Sequence, residues 1–325
     1  MTEIVTGSSY CAKLVGMATL LLLFLVSLCV GVGDFSPRGA FTDIEALQLL
    51  FISRLPRTLA ALLAGAGLAI AGLVMQTLVR NRFVEPTTAG TGQSAALGIL
   101  LVTIFWPSAS LPVKTILASL AALGGTSVFL MLAHRLPPTQ PFLVPLFGLV
   151  YGGVVGAGVT FVAWQADLLQ YLDVWTNGEF SGVLRGRYEL LWISAVMVAL
   201  AWWVADRLTI ASLGKDVSIG LGLNYARIMQ LGLVIISVIS ALTVVIVGLI
   251  PFVGLVVPNI VSRFAGDNLR GALPWVAGCG AALVLGCDII GRLLRFPYEI
   301  PVGTILGVVG AIIFLWLLFG RKSNG

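Results

Sequence analysis

The segment that decides the fold is residues 54–98, which read RLPRTLAALLAGAGLAIAGLVMQTLVRNRFVEPTTAGTGQSAALG. After Arg57 this segment has no ionisable side chain before Arg80, a gap long enough for a helix to cross a hydrocarbon core of roughly 30 Å. Small residues lie four or eight positions apart within the gap, at Ala61, Gly65 and Ala69 and at Ala64 and Gly72. Lipid gives helices no hydrophobic reason to associate, so close backbone approach at small residues supplies their packing energy. We therefore predict a membrane-spanning helix that lies inside a bundle.

The composition extends this prediction to the whole chain. Of its 325 residues 58% are hydrophobic and 10% are charged, whereas soluble domains have about 25% charged residues. The sequence therefore predicts an all-α, polytopic membrane protein. The net charge is +5. In a membrane protein, an excess of positive charge indicates which side of the membrane its loops occupy, so we expect no nucleic-acid partner.

Apolar runs separated by charged or Pro/Gly turns predict about ten transmembrane helices in one domain, residues 1–325. The runs lie at 13–32, 55–78, 91–106, 111–133, 142–166, 189–206, 227–249, 251–265, 272–293 and 301–319. The third and eighth runs are short for full spans, so we expect them to be tilted, buried in protein or broken.

The charges between the runs predict the orientation. With the N-terminus in the cytoplasm, the inner ends carry eleven Lys and Arg residues and the outer ends carry eight, while Glu85 counts among the inner acids. The positive-inside rule favours this arrangement, and an even number of crossings puts both termini in the cytoplasm. The first run is interpreted as a retained helix. A cleaved signal peptide is the alternative, although the residues before Cys29 lack the small-residue pattern of a cleavage site.

The helix at 55–78 and the turn after it resemble the permease family of vitamin B12 and iron–siderophore ABC importers. The common family turn reads about NPLADP-x-x-LG, and Asn81–Gly90 reads NRFVEPTTAG, which is similar to the siderophore members. The closing Glu299–Gly303, EIPVG, is similar to the family's ELPVG, so the resemblance covers almost the whole chain. It implies a helical bundle like the B12 importer permease, in the bacterial cytoplasmic (inner) membrane.

The resemblance also implies function and partners. The chain would be half of a two-permease pore, identical or homologous, that carries a ferric siderophore with two ATPase subunits and an extracytoplasmic binding protein. Cobalamin and haem are the alternative cargoes within the family. An ion-coupled carrier would need intramembrane acids or histidines, for which Asp288 is the one deep candidate. An intramembrane enzyme would need a nucleophile with a base or a metal cluster, and no histidine lies within a predicted span.

Residues 206–227, DRLTIASLGKDVSIGLGLNYAR, are polar at both ends, apolar in the middle and interrupted by three glycines. This pattern indicates a short docked helix, with an ordinary solvated loop as the alternative. In the resembled family this region contacts the ATPase. The residues implied in ATPase coupling are Leu213, Gly214, Lys215, Asp216, Ser218, Gly220, Leu221 and Gly222.

The chain has no Walker A motif, because Gly214-Lys215 lacks the glycine five residues earlier and a following Ser or Thr. ATP and Mg²⁺ would therefore be bound by a partner chain, and we expect no cofactor, metal site or catalytic residue on this one.

Residues 248–270 resemble the family motif G-x-I-x-FVGL-x-x-PH-x-x-R, with Asn259 where histidine is usual and with Arg263 one residue late. Asn cannot become charged near neutral pH, so a structural hydrogen bond to a backbone group freed by Pro258 is expected. The residues to which we assign a structural role are Asn81, Pro86, Gly90, Phe252, Gly254, Pro258, Asn259, Arg263 and Asp288.

Four arginines are predicted at the outer ends of two helices: Arg54, Arg57, Arg292 and Arg295. In the resembled family, arginines at the positions of Arg54 and Arg292 receive acidic side chains of the binding protein, and a guanidinium suits such bidentate contacts. The alternatives are snorkelling to lipid headgroups and, for Arg292, an i,i+4 pair with Asp288. The resemblance also places the cytoplasmic gate at the turn that contains Thr139 and Gln140.

Overall fold

The computed structural model of the protein describes residues 2–31, 44–137, 140, 142–266 and 268–319, with the backbone alone for residues 2–13 and 44–46. Every regular element in these ranges is helical. The helices are α1 (Thr2–Cys29), α2 (Ile44–Leu49), α3 (Leu55–Val79), α4 (Thr91–Phe105), α5 (Leu111–Ala133), α6 (Leu143–Gln165), α7 (Leu169–Thr176), α8 (Trp192–Trp203), α9 (Ala205–Ser212), α10 (Lys215–Gly220), α11 (Tyr225–Ile246), α12 (Val253–Ala265), α13 (Leu269–Leu293) and α14 (Val302–Phe319).

Six helices of the described chain are long and apolar enough to cross a membrane. A seventh span is formed if Tyr188–Trp203 and Ala205–Ser212, bent by 62° at their junction, count together. Three shorter apolar helices, Leu14–Cys29, Thr91–Phe105 and Val253–Ala265, bring the apolar segments to six plus one plus three, or ten. The all-α membrane fold and the number of predicted crossings agree with this structure.

The α3 helix lies at the centre of the bundle, as its small residues predict. It continues from a π-helical turn at Leu50–Arg54, and 72% of its most apolar window is buried. Gly65 touches the Gly280 backbone of α13, and Gly72 touches Gly254 of α12, so that a side chain at either position would collide with backbone atoms. The small-residue pattern therefore marks where two neighbouring helices cross α3.

The two ends of α3 give names to the two ends of the bundle. We call the end at which α3 begins the Arg54 end, and the end at which it finishes the Arg80 end. Arg80 itself ends α3 in the left-handed conformation, with φ +54°. By chain order, α9, α10 and the first turn of α13 lie at the Arg80 end.

The α12 helix is a short element that starts inside the bundle. The residue before it, Phe252, has φ +69°, and its side chain lies against Gly310 of α14. Because Gly254 meets Gly72 about two turns before the end of α3, the N-terminus of α12 lies inside the bundle and not at its Arg80 end. The expected broken or buried eighth segment is therefore found.

Candidate functional site

A cluster of alternating charges occupies the Arg54 end, with Asp288 and Arg292 buried and Arg57 and Glu299 partly exposed. Arg57 donates from Nη2 to Asp288 Oδ1 at 2.8 Å and from Nη1 to Glu299 Oε2 at 2.8 Å. Arg292 Nη2 lies 2.8 Å from Asp288 Oδ2 and forms an ion pair with it. The angles at these atoms do not meet the geometry of a hydrogen bond. Two cations and two anions thus neutralise one another, as an apolar interior requires. The alternative of an i,i+4 pair between Asp288 and Arg292 is confirmed.

Two of the arginines also bind the end of α1. Arg54 Nη1 donates to Leu28 O at 2.8 Å and to Cys29 O at 3.0 Å. Arg292 Nη1 donates to Ser27 O at 2.9 Å and to Val30 O at 2.6 Å. The last carbonyls of a helix lack partners within it and carry the negative end of its dipole, so cations there are stabilising. Arg54 and Arg292 therefore fasten α1 to α3 and α13.

The four arginines predicted to bind a partner lie in different surroundings. Arg54 and Arg292 are 6% and 4% exposed, which differs from the surface position expected for them. Arg57 is engaged by Asp288 and Glu299. Of the four, Arg295 is exposed, with its guanidinium 5.8 Å from the centre of the Tyr298 ring. The docking role of all four stays a prediction.

Glu85 is a buried acid whose position the sequence reasoning missed. It is 2% exposed, and its Oε1 accepts the N–H of Phe252 at 3.0 Å and the hydroxyl of Thr87 at 2.7 Å. The charge count treats Glu85 as an acid at the inner membrane surface, and the structure corrects this. The available signal was an acid placed directly before Pro86 in a turn that is otherwise mostly uncharged.

Pro258 removes one backbone donor from α12, and the acceptor that it leaves is satisfied from another helix. In a regular helix the amide of residue 258 would bind the carbonyl of Gly254. Here Gln76 Nε2 on α3 donates to Gly254 O at 3.0 Å. An unsatisfied carbonyl in lipid would cost several kcal/mol, so Gln76 acts as an interhelical hydrogen-bond donor.

Asn259 makes structural hydrogen bonds, but not the one expected. Its Nδ2 donates to Leu255 O and to Arg82 O, both at 2.7 Å. Asn259 was expected to satisfy a group freed by Pro258, and Gln76 does that instead. Asn259 joins α12 to the start of the 81–90 turn.

The other predicted structural residues hold the turn and the end of α12. Asn81 Oδ1 accepts the N–H of Phe83 at 2.9 Å, and Gly90 has φ +74°. Arg263 lies 4.8 Å from the Trp316 ring of α14. The turn is thus a folded element with its own hydrogen bonds.

Residues 206–227 form two short helices, α9 and α10, which confirms the expectation of helical structure. Leu213, Ile219 and Leu221 expose 62%, 55% and 62% of their surface. Ser218 is buried and donates to Gly214 O at 2.6 Å, so the turn between the two helices is internally fixed. The segment therefore presents an exposed apolar surface, and the Ser218 hydrogen bond holds its turn in place.

Gly214 lies beside Arg80, the residue that ends α3. Its φ of +124° and ψ of 162° belong to a region that is essentially restricted to glycine. A Cβ at this position would lie 3.4 Å from Arg80 Nη1. The other residues predicted to take part in coupling lie at the surface or in a turn: Lys215, Asp216 and Gly220 are exposed on α10, and Gly222 has φ +77°. Their coupling role stays a prediction.

The predicted gate turn connects α5 to α6 at the Arg80 end. The N–H of Gln140 lies 3.4 Å from Pro137 O, and its side chain is exposed. Thr139 lies outside the described residues. The gate assignment stays a prediction.

Two cavities of several hundred cubic ångströms adjoin the 81–90 turn. The first, which we call the α6 cavity, has a volume of about 320 Å³, and no described residue that lines it is charged. Its wall includes Thr87, Thr88, Gln93, Gly152, Thr160 and Leu249. Gln93 Oε1 is buried and has no hydrogen-bond partner among the described residues. This cavity offers hydrogen-bonding groups without a fixed charge.

The second cavity, which we call the Arg80 cavity, has a volume of about 400 Å³. Its wall includes Arg80, Asn81, Arg82, Ser212, Pro258 and Asn259. Among the described residues, no group of three or more His, Cys, Asp or Glu side chains is arranged to hold a metal ion.

Comparisons with known proteins agree with this architecture. The chain is 43% identical over 305 residues to the petrobactin import system permease protein YclN of Bacillus subtilis (strain 168), covering 94% of this chain and 96% of the relative. It is 40% identical over 275 residues to the ferric-anguibactin transport system permease protein FatD of Vibrio anguillarum, covering 84% and 88% of the two chains.

A solved structure and a family profile lead to the same conclusion. The structure is described as an inward-facing conformation of a metal-chelate type ABC transporter; it superposes with a TM-score of 0.79 at 26% identity and covers 95% of this chain and 99% of its own. The profile of the FecCD transport family matches residues 19–320. The bundle, its buried α3 and its short α12 are therefore those of a multi-pass membrane permease, and the chain belongs to the FecCD transport family.

Proposed function

We propose that this chain is the membrane-spanning permease of an ABC importer that carries a ferric siderophore across the bacterial cytoplasmic membrane. The observation that carries the proposal is the 43% identity, over 94% of the chain, to a petrobactin import permease. The uncharged, hydroxyl- and amide-bearing wall of the α6 cavity supports it, since a bulky chelate passes more readily where contacts are polar but weak. Cobalamin and haem remain the alternative cargoes.

The test is uptake by the reconstituted importer. The permease, its ATPase and its binding protein are placed in proteoliposomes, and ATP-dependent accumulation of radioactive ⁵⁵Fe–petrobactin is compared with that of labelled cobalamin and haem. We expect iron uptake that requires both ATP and the binding protein. Uptake of cobalamin or haem at a higher rate than the siderophore would contradict the assignment of cargo.

The ATPase is proposed to bind at α9 and α10. This segment presents Leu213, Ile219 and Leu221 to the outside on a base that the Ser218 hydrogen bond to Gly214 fixes. A rigid apolar surface of this kind suits a partner that must push on the permease. ATP and Mg²⁺ are accordingly assigned to that partner.

The binding protein is proposed to bind at the Arg54 end through Arg295. This guanidinium is exposed between Leu294 and Phe296, which are 66% and 63% exposed. The loop has a firm base, because Arg57 holds Glu299. In this proposal Arg54, Arg57 and Arg292 orient the docking surface, and Arg295 offers a charge to an acidic partner.

Three further assignments complete the proposal. The Arg80 end is assigned to the cytoplasm, with both termini on that side, because the excess of Lys and Arg lies there. A second permease is assigned to the exposed faces of α6 and α14, whose most apolar windows are only 22% and 28% buried. Either lipid or a neighbouring helix must cover these apolar faces. In a pore of two permeases, helices of the second permease would cover them. The gate assigned to Thr139 and Gln140 would close the cytoplasmic side.

A further inference from the structure

The buried carboxylate of Glu85 joins two elements that are distant in sequence. Glu85 belongs to the 81–90 turn and accepts a 3.0 Å hydrogen bond from the backbone N–H of Phe252, 167 residues later. Phe252 directly precedes α12, whose first N–H groups have no partner within the helix and carry the positive end of its dipole. A carboxylate at this point therefore satisfies a donor and complements the dipole.

Two more bonds hold α12 farther along its length, one from α3 and one from the 81–90 turn. Gln76, at the end of α3, binds Gly254 O at 3.0 Å. The carbonyl of Arg82 accepts from Asn259 at 2.7 Å. The α3 end and the turn thus follow α12 from its N-terminus to its middle, with a polar contact at each step. In an apolar interior such bonds are costly to break because water does not replace them.

The joined elements lie between the two cavities. Thr87 and Thr88, in the second half of the turn, line the α6 cavity, whereas Asn81 and Arg82, in its first half, line the Arg80 cavity. The α12 region divides in the same way: Leu249 lines the α6 cavity, while Pro258, Asn259 and Ser262 line the Arg80 cavity. In sequence, Glu85 lies between the turn residues that line the Arg80 cavity and those that line the α6 cavity. Phe252 likewise lies between Leu249, which lines the α6 cavity, and Pro258, which lines the Arg80 cavity.

We propose that Glu85 is a positioning residue that fastens the 81–90 turn to the N-terminus of α12, so that the two form a single wall between the cavities. The inference rests on the proposed transport function, because it makes this wall part of the barrier that cargo must pass. It predicts more than a loss of stability. Without the bond the wall opens independently of ATP, and the importer leaks.

The test uses the complete importer in proteoliposomes and three substitutions. Glu85→Ala removes both acceptor oxygens, Glu85→Gln keeps a carbonyl oxygen that can accept from Phe252, and Thr87→Val removes the hydroxyl that holds the carboxylate. Glu189→Ala is the matched control, since Glu189 also accepts a backbone N–H, that of Gly186 at 2.8 Å, but is exposed and contacts neither cavity.

Two quantities are measured: cargo imported per ATP hydrolysed, and release of a trapped anionic dye, calcein, in the absence of ATP. For Glu85→Ala we expect import per ATP to fall at least tenfold and dye release to rise severalfold over wild type. Glu85→Gln should stay within about threefold of wild type, because the hydrogen bond persists even though the charge is lost. Thr87→Val should shift both quantities in the same direction as Glu85→Ala, and Glu189→Ala should shift neither.

The inference is overturned if folded Glu85→Ala imports normally per ATP and does not leak, or if its uptake and ATPase activity fall together without leakage. If Glu85→Ala does not fold, Thr87→Val decides: wild-type import per ATP and no added dye release overturn the inference. Failure of the proposed function has a different signature, because wild type would then import no ferric siderophore, while the dye assay would still report on the wall.

Discussion

Gln76 on α3 donates a 3.0 Å hydrogen bond to the carbonyl oxygen of Gly254, the acceptor that Pro258 leaves without an amide partner. The bond spans 178 residues of sequence and lies at the site where Gly72 lets α3 and α12 touch. A helix interrupted by proline inside a membrane protein thus receives its missing donor from the helix that it crosses. This relationship yields the first prediction.

Gln76→Leu should destabilise the permease by about 1–3 kcal/mol, because Gly254 O becomes a buried acceptor without a donor. The measurement is thermal unfolding of the detergent-solubilised protein. The double variant Gln76→Leu/Pro258→Ala restores a backbone N–H to α12 and should recover much of the lost stability. If the double variant is as unstable as the sum of the two single variants, the two residues do not serve the same carbonyl.

Asn259→His should retain transport with little new pH dependence between about pH 5.5 and 7.5, since an imidazole can donate one of the hydrogen bonds that Asn259 makes without being charged. Asn259→Leu is the control without a donor, and its uptake should fall because Leu255 O and Arg82 O both lose their bond. Initial uptake rates are measured across the pH range. A steep acid-dependent change in the histidine variant would reveal an electrostatic role for this position.

Gly214→Val should uncouple ATP hydrolysis from transport, because its φ of +124° excludes a branched side chain, at a cost of about 1–3 kcal/mol for the turn. The added carbons would also meet Arg80. The control is Gly271→Ala in the first turn of α13, at the same end of the bundle but outside the coupling segment, where φ is ordinary and nothing lies within 4 Å of an added Cβ. The readouts are ATPase co-purification and uptake, and equal effects of the two substitutions would contradict the role given to the Gly214 turn.

Arg295→Glu and Arg292→Glu should have different consequences. Arg295 is exposed, so its reversal should leave thermal stability unchanged and weaken binding-protein affinity at low salt, with a smaller effect at high salt. Arg292 is buried beside Asp288, and breaking such a pair costs about 3–5 kcal/mol, so its reversal should impair folding.

Affinity and unfolding temperature are measured for both variants. Rescue of Arg295→Glu by reversing an acidic residue of the binding protein would locate the partner. Unchanged affinity of Arg295→Glu at low salt would show that the docking surface lies elsewhere.

Much of the architecture follows from local sequence patterns. The uncharged gap between Arg57 and Arg80, with its small residues, determined a buried spanning helix, because hydrocarbon thickness and close helix packing are constraints that a single segment must meet by itself. The glycine-broken segment at 206–227 likewise predicted a short helix, and the structure has two there. The motifs at 81–90 and 248–270 predicted interrupted elements, since proline removes a donor wherever the helix lies.

The partners of the buried polar groups were decided by the tertiary structure. Arg57 and Asp288 are 231 residues apart, and Glu85 meets Phe252 167 residues away; no local pattern encodes either pairing. Charge counting places Arg54, Arg292 and Glu85 at membrane surfaces because it treats each charge as solvated. In the folded bundle carbonyls, carboxylates and helix ends replace that water, and which of them does so depends on how α1, α3, α12 and α13 come together.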